Sequence, residues 1–290
     1  MRELDADSPA LDAVGVLGVP GRSGEPLTPV CTGTLLGPSS VLTVSSCWQA
    51  LSRRGAPDLG QGTAVFAIGP DPREPLATAE VSEAVEVPDL RPDAGARDAL
   101  QLTVLHLVKP LGAAPAAKLA SASAALLGQV FVRAGYAPGA VRDAGQRRVA
   151  PVHLTALHGH TLEAAAANSG NNSEACRGPG EPLLRVDEAG ELVLYGIASD
   201  VAGPAARSCD HGTVYTSFVS FEVRSFLEAQ SHWLDPCGDL AERPTCSGAL
   251  LRRCSAQGEG ERRVIAQDCS EHGLICEESA AGAHCAPETL

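Results

Sequence analysis

Serine hydroxyls and histidines carry the first chemical possibilities in this chain. Ser45 and Ser46 stand together before Cys47, and Ser169 and Ser173 flank Asn171 and Asn172. A serine hydroxyl becomes a nucleophile only where a neighbouring base takes its proton. The stretch LHGH offers His158 and His160, a spacing that on a strand puts both imidazoles on one face. Such a pair can bind a metal ion, but the preferred reading is solvent-facing loop histidines, so no metal and no cofactor are expected. His211, His272 and His284 are read as surface residues too. Asn171–Asn172–Ser173 fits a glycosylation sequon and is read as a chance match.

The ten cysteines are Cys31, Cys47, Cys176, Cys209, Cys237, Cys246, Cys254, Cys269, Cys276 and Cys285. An even number with no Cys-x-x-Cys pair favours disulfides over zinc or redox chemistry, with all ten bridged. That places the chain in an oxidising compartment: secreted, periplasmic or at the cell surface. Met1 is followed by RELDADSP instead of a basic start and an apolar run, so a signal peptide is expected to have been removed, or export to take another route. Lys109 and Lys118 are the only lysines among 22 basic residues, a bias that hints at a GC-rich bacterial genome. The net charge of −13 repels phosphate backbones and anionic lipid. No nucleic-acid partner is expected, and no membrane insertion, since no apolar run approaches the roughly 18 residues a span needs.

The elements that must position these groups are read from periodicity. Short apolar runs recur at AVGVLGV (13–19), CTGTLL (31–36), VLTVSS (41–46), TAVFAIG (63–69), LTVLHLV (102–108), QVFVRAGY (129–136) and ELVLYGIAS (191–199). Gly, Pro and Asp clusters separate them, the pattern of an all-β sandwich or barrel. VDEAGEL (186–192) reads as a hairpin turn. SFEVRSFLEAQ (220–230) reads as a short helix behind a capping serine, with Val223, Phe226, Leu227 and Gln230 at helical spacing.

Beyond SHWLDP the composition changes. Six cysteines fall within residues 237–285, a stretch of about 55 residues that is too short to hold itself together by apolar burial alone. A boundary is expected near Asp235, with one domain over 1–235 and a three-disulfide module over 236–290. Six cysteines allow fifteen pairings. CSGALLRRC and VIAQDCSEHGLIC are each expected to supply short strands between turns.

Five stretches in register over residues 13–230 resemble the trypsin-like (chymotrypsin-fold) serine proteases. CTGTLLGPSSVLTVSSC is similar to the family's Cys-x-Gly-(Ser/Thr)-Leu-Ile…Val-Leu-Thr-Ala-Ala-His-Cys block. LQLTVLHLVKPL is similar to its Asp-Ile-Ala-Leu-Leu-x-Leu-x-x-Pro strand, and ACRGPGEPLL (175–184) to its Cys-x-Gly-Asp-Ser-Gly-Gly-Pro-Leu loop. LYGIASD resembles Val-Gly-Ile-Val-Ser-Trp, and HGTVYTSFVSF resembles the Gly-Val-Tyr-Thr segment before the terminal helix. The resemblance implies two antiparallel six-stranded β-barrels, a C-terminal helix, and a loop disulfide between Cys31 and Cys47.

The same resemblance locates what is missing. That chemistry needs a serine, a histidine to take its proton, and an aspartate to hold the histidine in the right tautomer. Ser46 stands in the histidine's place, and a hydroxyl is no general base near pH 7. Gln101 stands in the aspartate's place; Asp98, three residues earlier, would face the other side of an extended strand. Keeping Gly178 and Pro182 in line requires one deletion, which puts Pro179 before the nucleophile position, Gly180 at it, and Glu181 in place of a following glycine. Pro179 also offers no carboxylate to an activating N-terminal amine, and the deletion is expected to shift Gly178 and Gly180 out of oxyanion-hole geometry. At the specificity pocket Asp200, Val201 and Thr213 replace a tryptophan and two wall glycines, and Glu174 lies at the floor position, where it is read as a solvated loop charge.

The chain is therefore expected to be an all-β pseudoprotease, inactive as a peptidase, that binds another protein or a surface polysaccharide; its oligomeric state is not legible. The alternative is a hydrolase with a displaced constellation drawn from His158 or His160, Asp98, and Ser45, Ser46 or Ser173. A third reading, an unrelated all-β adhesin, would be favoured by the lack of a Cys31–Cys47 bridge.

Overall fold

The computed structural model describes residues 4–21, 26–53, 64–87, 101–111, 116–120, 126–136, 145–167, 178–199, 213–218, 221–231, 244–247, 250–257, 261–279 and 282–287. The expected boundary near Asp235 lies outside them.

Six strands form a first closed barrel: β1 (Val14–Val19), β2 (Thr28–Gly37), β3 (Ser40–Val44), β4 (Val65–Ile68), β5 (Ala77–Glu86) and β6 (Leu102–Leu107), in the order β1-β2-β3-β6-β5-β4. Phe66, Leu17, Val41 and Leu105 are fully buried among its core residues. A bulge between Val81 and Glu83 sets the register of β5 against β6.

The second barrel contains β8 (Val130–Tyr136), β9 (Arg147–His158), β10 (Thr161–Ala166), β11 (Pro182–Val186), β12 (Leu192–Ala198) and β13 (Thr213–Ser217). They run in the order β11-β8-β9-β10-β13-β12, and the β11–β12 pairing closes the ring. The short β7 (Lys118–Leu119) adds in parallel to β12. Phe131, Leu154, Leu162, Leu183 and Tyr215 fill this core, and the Phe131 ring meets Tyr195 edge-on at 5.1 Å. The expected pair of six-stranded antiparallel barrels is thus present. So is the expected hairpin: the Asp187 N–H donates to the Glu191 carbonyl, and Gly190 takes φ +85° between β11 and β12.

Two helices occur among the described residues. α1 (Ser45–Arg53) begins one residue after β3, so the apolar run 41–46, read as a strand to its end, is a strand only to Val44. The physical reason is the junction there: the Ser45 N–H turns to the Gln101 carbonyl at 2.7 Å, and Cys47 is tied to β2 through Cys31. α2 (Phe221–Ser231) is the expected C-terminal helix, burying Val223 and Leu227 against the first barrel's core. Its proposed cap, Ser220, lies outside the described residues.

The two barrels are fastened along their seam. Tyr136, paired with Arg147 across β8 and β9, donates its hydroxyl to the carbonyls of Val14 and Gly69 in the first barrel. The buried Arg147 guanidinium donates to the carbonyls of Ala6 (2.8 Å) and Leu11 (2.7 Å) and to Asp12 (3.2 Å), tying down the segment that leads through a 3₁₀ turn (Pro9–Ala13) into β1. A planar fork suits this arrangement of several carbonyls around one cation.

The cysteine-rich tail forms a three-stranded sheet of β14 (Thr245–Ser247), β15 (Leu250–Gln257) and β16 (Glu261–Asp268), and a hairpin of β17 (Leu274–Ser279) and β18 (Gly282–Pro287). Among the side chains described there, Leu251 and Ala283 are buried beside Cys269. Cys246–Cys276 and Cys269–Cys285 bridge it, and Cys254 is also disulfide-bonded. No described cysteine is free. Cys176, Cys209 and Cys237 lie outside the described residues.

Candidate functional site

Three segments converge at the junction between the barrels. The first is the start of α1, held by the Cys31–Cys47 bridge that the resemblance implied. The second is Gln101, immediately before β6, which has the one positive φ (45°) among described non-glycine residues and whose carbonyl receives the Ser45 N–H. The third is the Pro179–Gly180 turn before β11. The Pro179 carbonyl accepts the Thr32 N–H at 3.3 Å and lies 3.5 Å from Cys47 Sγ. That second approach is a van der Waals contact, because a cystine sulfur has no hydrogen to donate.

The structure therefore brings the positions of Ser46, Gln101 and Gly180 into one neighbourhood, and no hydrogen bond among the described residues pairs a nucleophile with a base there. Ser45 Oγ lies 3.0 Å from Thr103 Oγ1. Ser46 Oγ is buried without a hydrogen-bond partner, so no base among the described residues is bonded to it. Gln101 is exposed.

The turn itself is closed to chemistry. Gly180 adopts φ +88°, and a Cβ there would stand 2.1 Å from the Thr32 carbonyl oxygen and 2.8 Å from Thr43 Oγ1. A side chain at Gly180 is thus directed into β2 and β3. The Gly180 N–H donates to the Ala198 carbonyl at 3.0 Å and is not free to stabilise an oxyanion. Pro179 has no N–H. Thr32 cannot retreat easily, since its hydroxyl accepts the Tyr136 N–H and its carbonyl accepts the Thr43 hydroxyl.

Glu181, the next residue, is almost fully buried. Its side chain lies over Gly135 of β8, where a Cβ would come within 2.3 Å of Glu181 Cγ. The carboxylate lies beside it, with Oε1 2.8 Å from that Cβ position.

Of the specificity-pocket positions, Thr213 opens β13, partly buried and paired with Ala164. Glu174, Asp200 and Val201 lie outside the described residues, as do Asp98, Ser169 and Ser173 from the displaced constellation. His158 ends β9 and His160 sits in the following turn, whose Gly159 has φ +55°. His158 Nε2 stands 3.9 Å from Glu163 with both side chains exposed, and the His160 carbonyl accepts the Ser217 N–H. No hydrogen bond among the described residues joins either histidine to Ser45 or Ser46, and no cluster of three metal-ligating side chains occurs among them.

Sequence reasoning missed one constellation that contains both a serine and a histidine. Ser40 on β3 and His106 on β6 are directly paired, and Ser40 Oγ lies 3.3 Å from His106 Nδ1. Both are fully buried under α2. Ser40 donates its hydroxyl hydrogen to the Gln230 carbonyl at 2.6 Å, so it is a helix cap and not a nucleophile. The partners lie 66 and 190 residues apart in sequence, and no local pattern marks them.

Among charged groups, Asp71 has its carboxyl lowered to about 2 by the Arg73 guanidinium that donates to it. Burial, opposed by Arg147, pushes the Tyr136 phenol up to about 12. Among the described residues, neither side chain hydrogen-bonds to Pro179 or Gly180. No helix among the described residues is long and apolar enough to cross a membrane.

No protein-family model matches the chain. No curated protein matches it either.

Proposed function

We propose that this chain is a catalytically inert trypsin-like homologue that works by binding. The observation that carries this reading is the Pro179–Gly180 turn: its glycine has no room for a side chain, its amide hydrogen is engaged by Ala198, and its proline has none. Ser46 and Gln101 add no base and no carboxylate. A double barrel with intact cores and a loop bridge, stripped of reactive groups where the resemblance would put them, supports a scaffold whose surface is its function. The disulfides support an oxidising, extracytoplasmic setting, and the chain's acidity favours protein or polysaccharide partners over nucleic acid or anionic membrane.

The test is cleavage of an unfolded substrate. The full chain is incubated with casein and with a complex peptide mixture, and new termini are read by mass spectrometry, with Ser46→Ala and His160→Ala variants alongside. The account expects no termini above those of the substrate alone. New termini that disappear in either variant would overturn it in favour of the displaced hydrolase.

A further inference from the structure

We infer that His106 is a proton-operated latch for the C-terminal helix, binding its proton more tightly when α2 is docked than when it is released. The registered pairs Ser40↔His106 and Glu83↔His106 place a hydroxyl, an imidazole and a carboxylate in one row across β3, β6 and β5. Directly paired residues share a face of the sheet, and the Ser40–His106 face is the one that receives the end of α2. The approach is close: a Cβ on Gly37, paired with Ser40, would lie 1.9 Å from the Ser231 carbonyl oxygen.

The donors and acceptors around the ring, as they are placed, match its protonated form. His106 Nε2 stands 2.8 Å from Gln230 Oε1, which can only accept. Ser40 gives its one hydrogen to the Gln230 carbonyl at 2.6 Å, so toward His106 Nδ1, 3.3 Å away, it too can only accept. Both ring nitrogens thus face acceptors, the requirement of an imidazolium. Its setting favours the cation twice over. The last carbonyls of α2 are the negative end of the helix, and Glu83 is its neighbour in the row.

Of the side chains described on the packed elements, α2 brings Arg224, partly buried, and Glu228, exposed; β5 brings Glu80, partly buried, and Glu86, exposed, besides Glu83; and β3 and β6 bring no other charge. Ser82 donates to the His106 carbonyl at 2.9 Å and ties its backbone to β5.

The sign follows from linkage. A docked state that binds one more proton than the released state gains stability as pH falls and loses it as pH rises. A neutral ring with the Gln230 amide turned over would satisfy the same contacts without any such dependence, and this makes the inference decidable.

The experiment is amide hydrogen exchange of the full chain over residues 221–231, corrected for the intrinsic effect of pH on exchange, at steps from pH 5.5 to 8.0. The expected result is protection that falls as pH rises, by up to about tenfold per pH unit where the proton is fully linked. Glu83→Gln keeps the size of the side chain and should flatten this dependence; His106→Asn should abolish it. Imidazole ¹⁵N shifts should show two protonated ring nitrogens for His106 at pH 5.5. Wild-type protection that is independent of pH, or that rises with pH, would overturn the inference, as would a neutral ring at pH 5.5. The wild-type series decides even where a variant fails to fold.

Discussion

Putting a serine back at Gly180 tests whether the junction has lost its chemistry for steric reasons. Two costs are expected. The φ of +88° is left-handed, and a non-glycine residue there costs about 1–2 kcal/mol. The new Cβ meets the Thr32 carbonyl oxygen at 2.1 Å, in a strand pinned by Tyr136 and Thr43, and overpacking of this kind costs about 1–3 kcal/mol. Gly180→Ser should therefore destabilise the protein by about 2–5 kcal/mol. Gly190 supplies the control, since it has nearly the same φ, +85°, with nothing within 4 Å of its Cβ position. Gly190→Ser should cost only the backbone share, about 1–2 kcal/mol. Urea unfolding of both variants, at equal slopes, isolates the steric share as their difference. Equal losses in the two would refute the claim that the turn is sterically sealed. Hydrolysis of an activated ester by Gly180→Ser would refute the proposal that the chain is catalytically inert for want of a base at this junction.

Three further outcomes follow from other parts of the molecule. Asp71 should titrate near 2 by NMR, and Arg73→Ala should return it toward 3.8; because the folded value is depressed, whatever stability the contact adds is present above pH 3.8 and lost as pH falls through 2. Tyr136 should ionise near pH 12, so its share of stability is present below pH 10 and lost as pH rises through 12; Tyr136→Phe should cost roughly 1–3 kcal/mol in urea unfolding, because it leaves the Val14 and Gly69 carbonyls without this donor. In the tail, opening either Cys246–Cys276 or Cys269–Cys285 by paired Cys→Ala substitution should cost about 3–4 kcal/mol from loop entropy, so exchange protection over 245–287 should collapse while the barrels hold.

The parts of the fold that were legible are those whose residues repeat a simple signal. β1, β4, β6, β8 and β12 read as strands because Val, Leu and Ile crowd short runs between turn residues. β5, β9 and β10 gave no such signal. β10, TLEAAA, is rich in alanine and glutamate and has little intrinsic strand preference; it is a strand because Leu162 and Ala164 enter the second core with partners on both sides. β9 contains Pro151 and two arginines, and Arg147 is buried there only because backbone carbonyls of a segment more than a hundred residues earlier surround it.

At the site, residue identities disclosed what was absent, since neither proline nor glycine carries a nucleophile. They could not disclose that Gly180 is boxed in by Thr32, that Glu181 lies over Gly135, or that Ser40 and His106 meet beneath α2. Those relations depend on how two barrels and a helix are brought together, and each joins residues far apart in sequence.

The most direct measurement is the intact mass of the full chain before and after exposure to a fluorophosphonate probe, which labels only a serine activated by a base. The account predicts an unchanged mass, and a mass before exposure that is ten hydrogens below the fully reduced value, as five bridges require. A stoichiometric adduct on any serine would contradict it and would identify the residue that carries the chemistry.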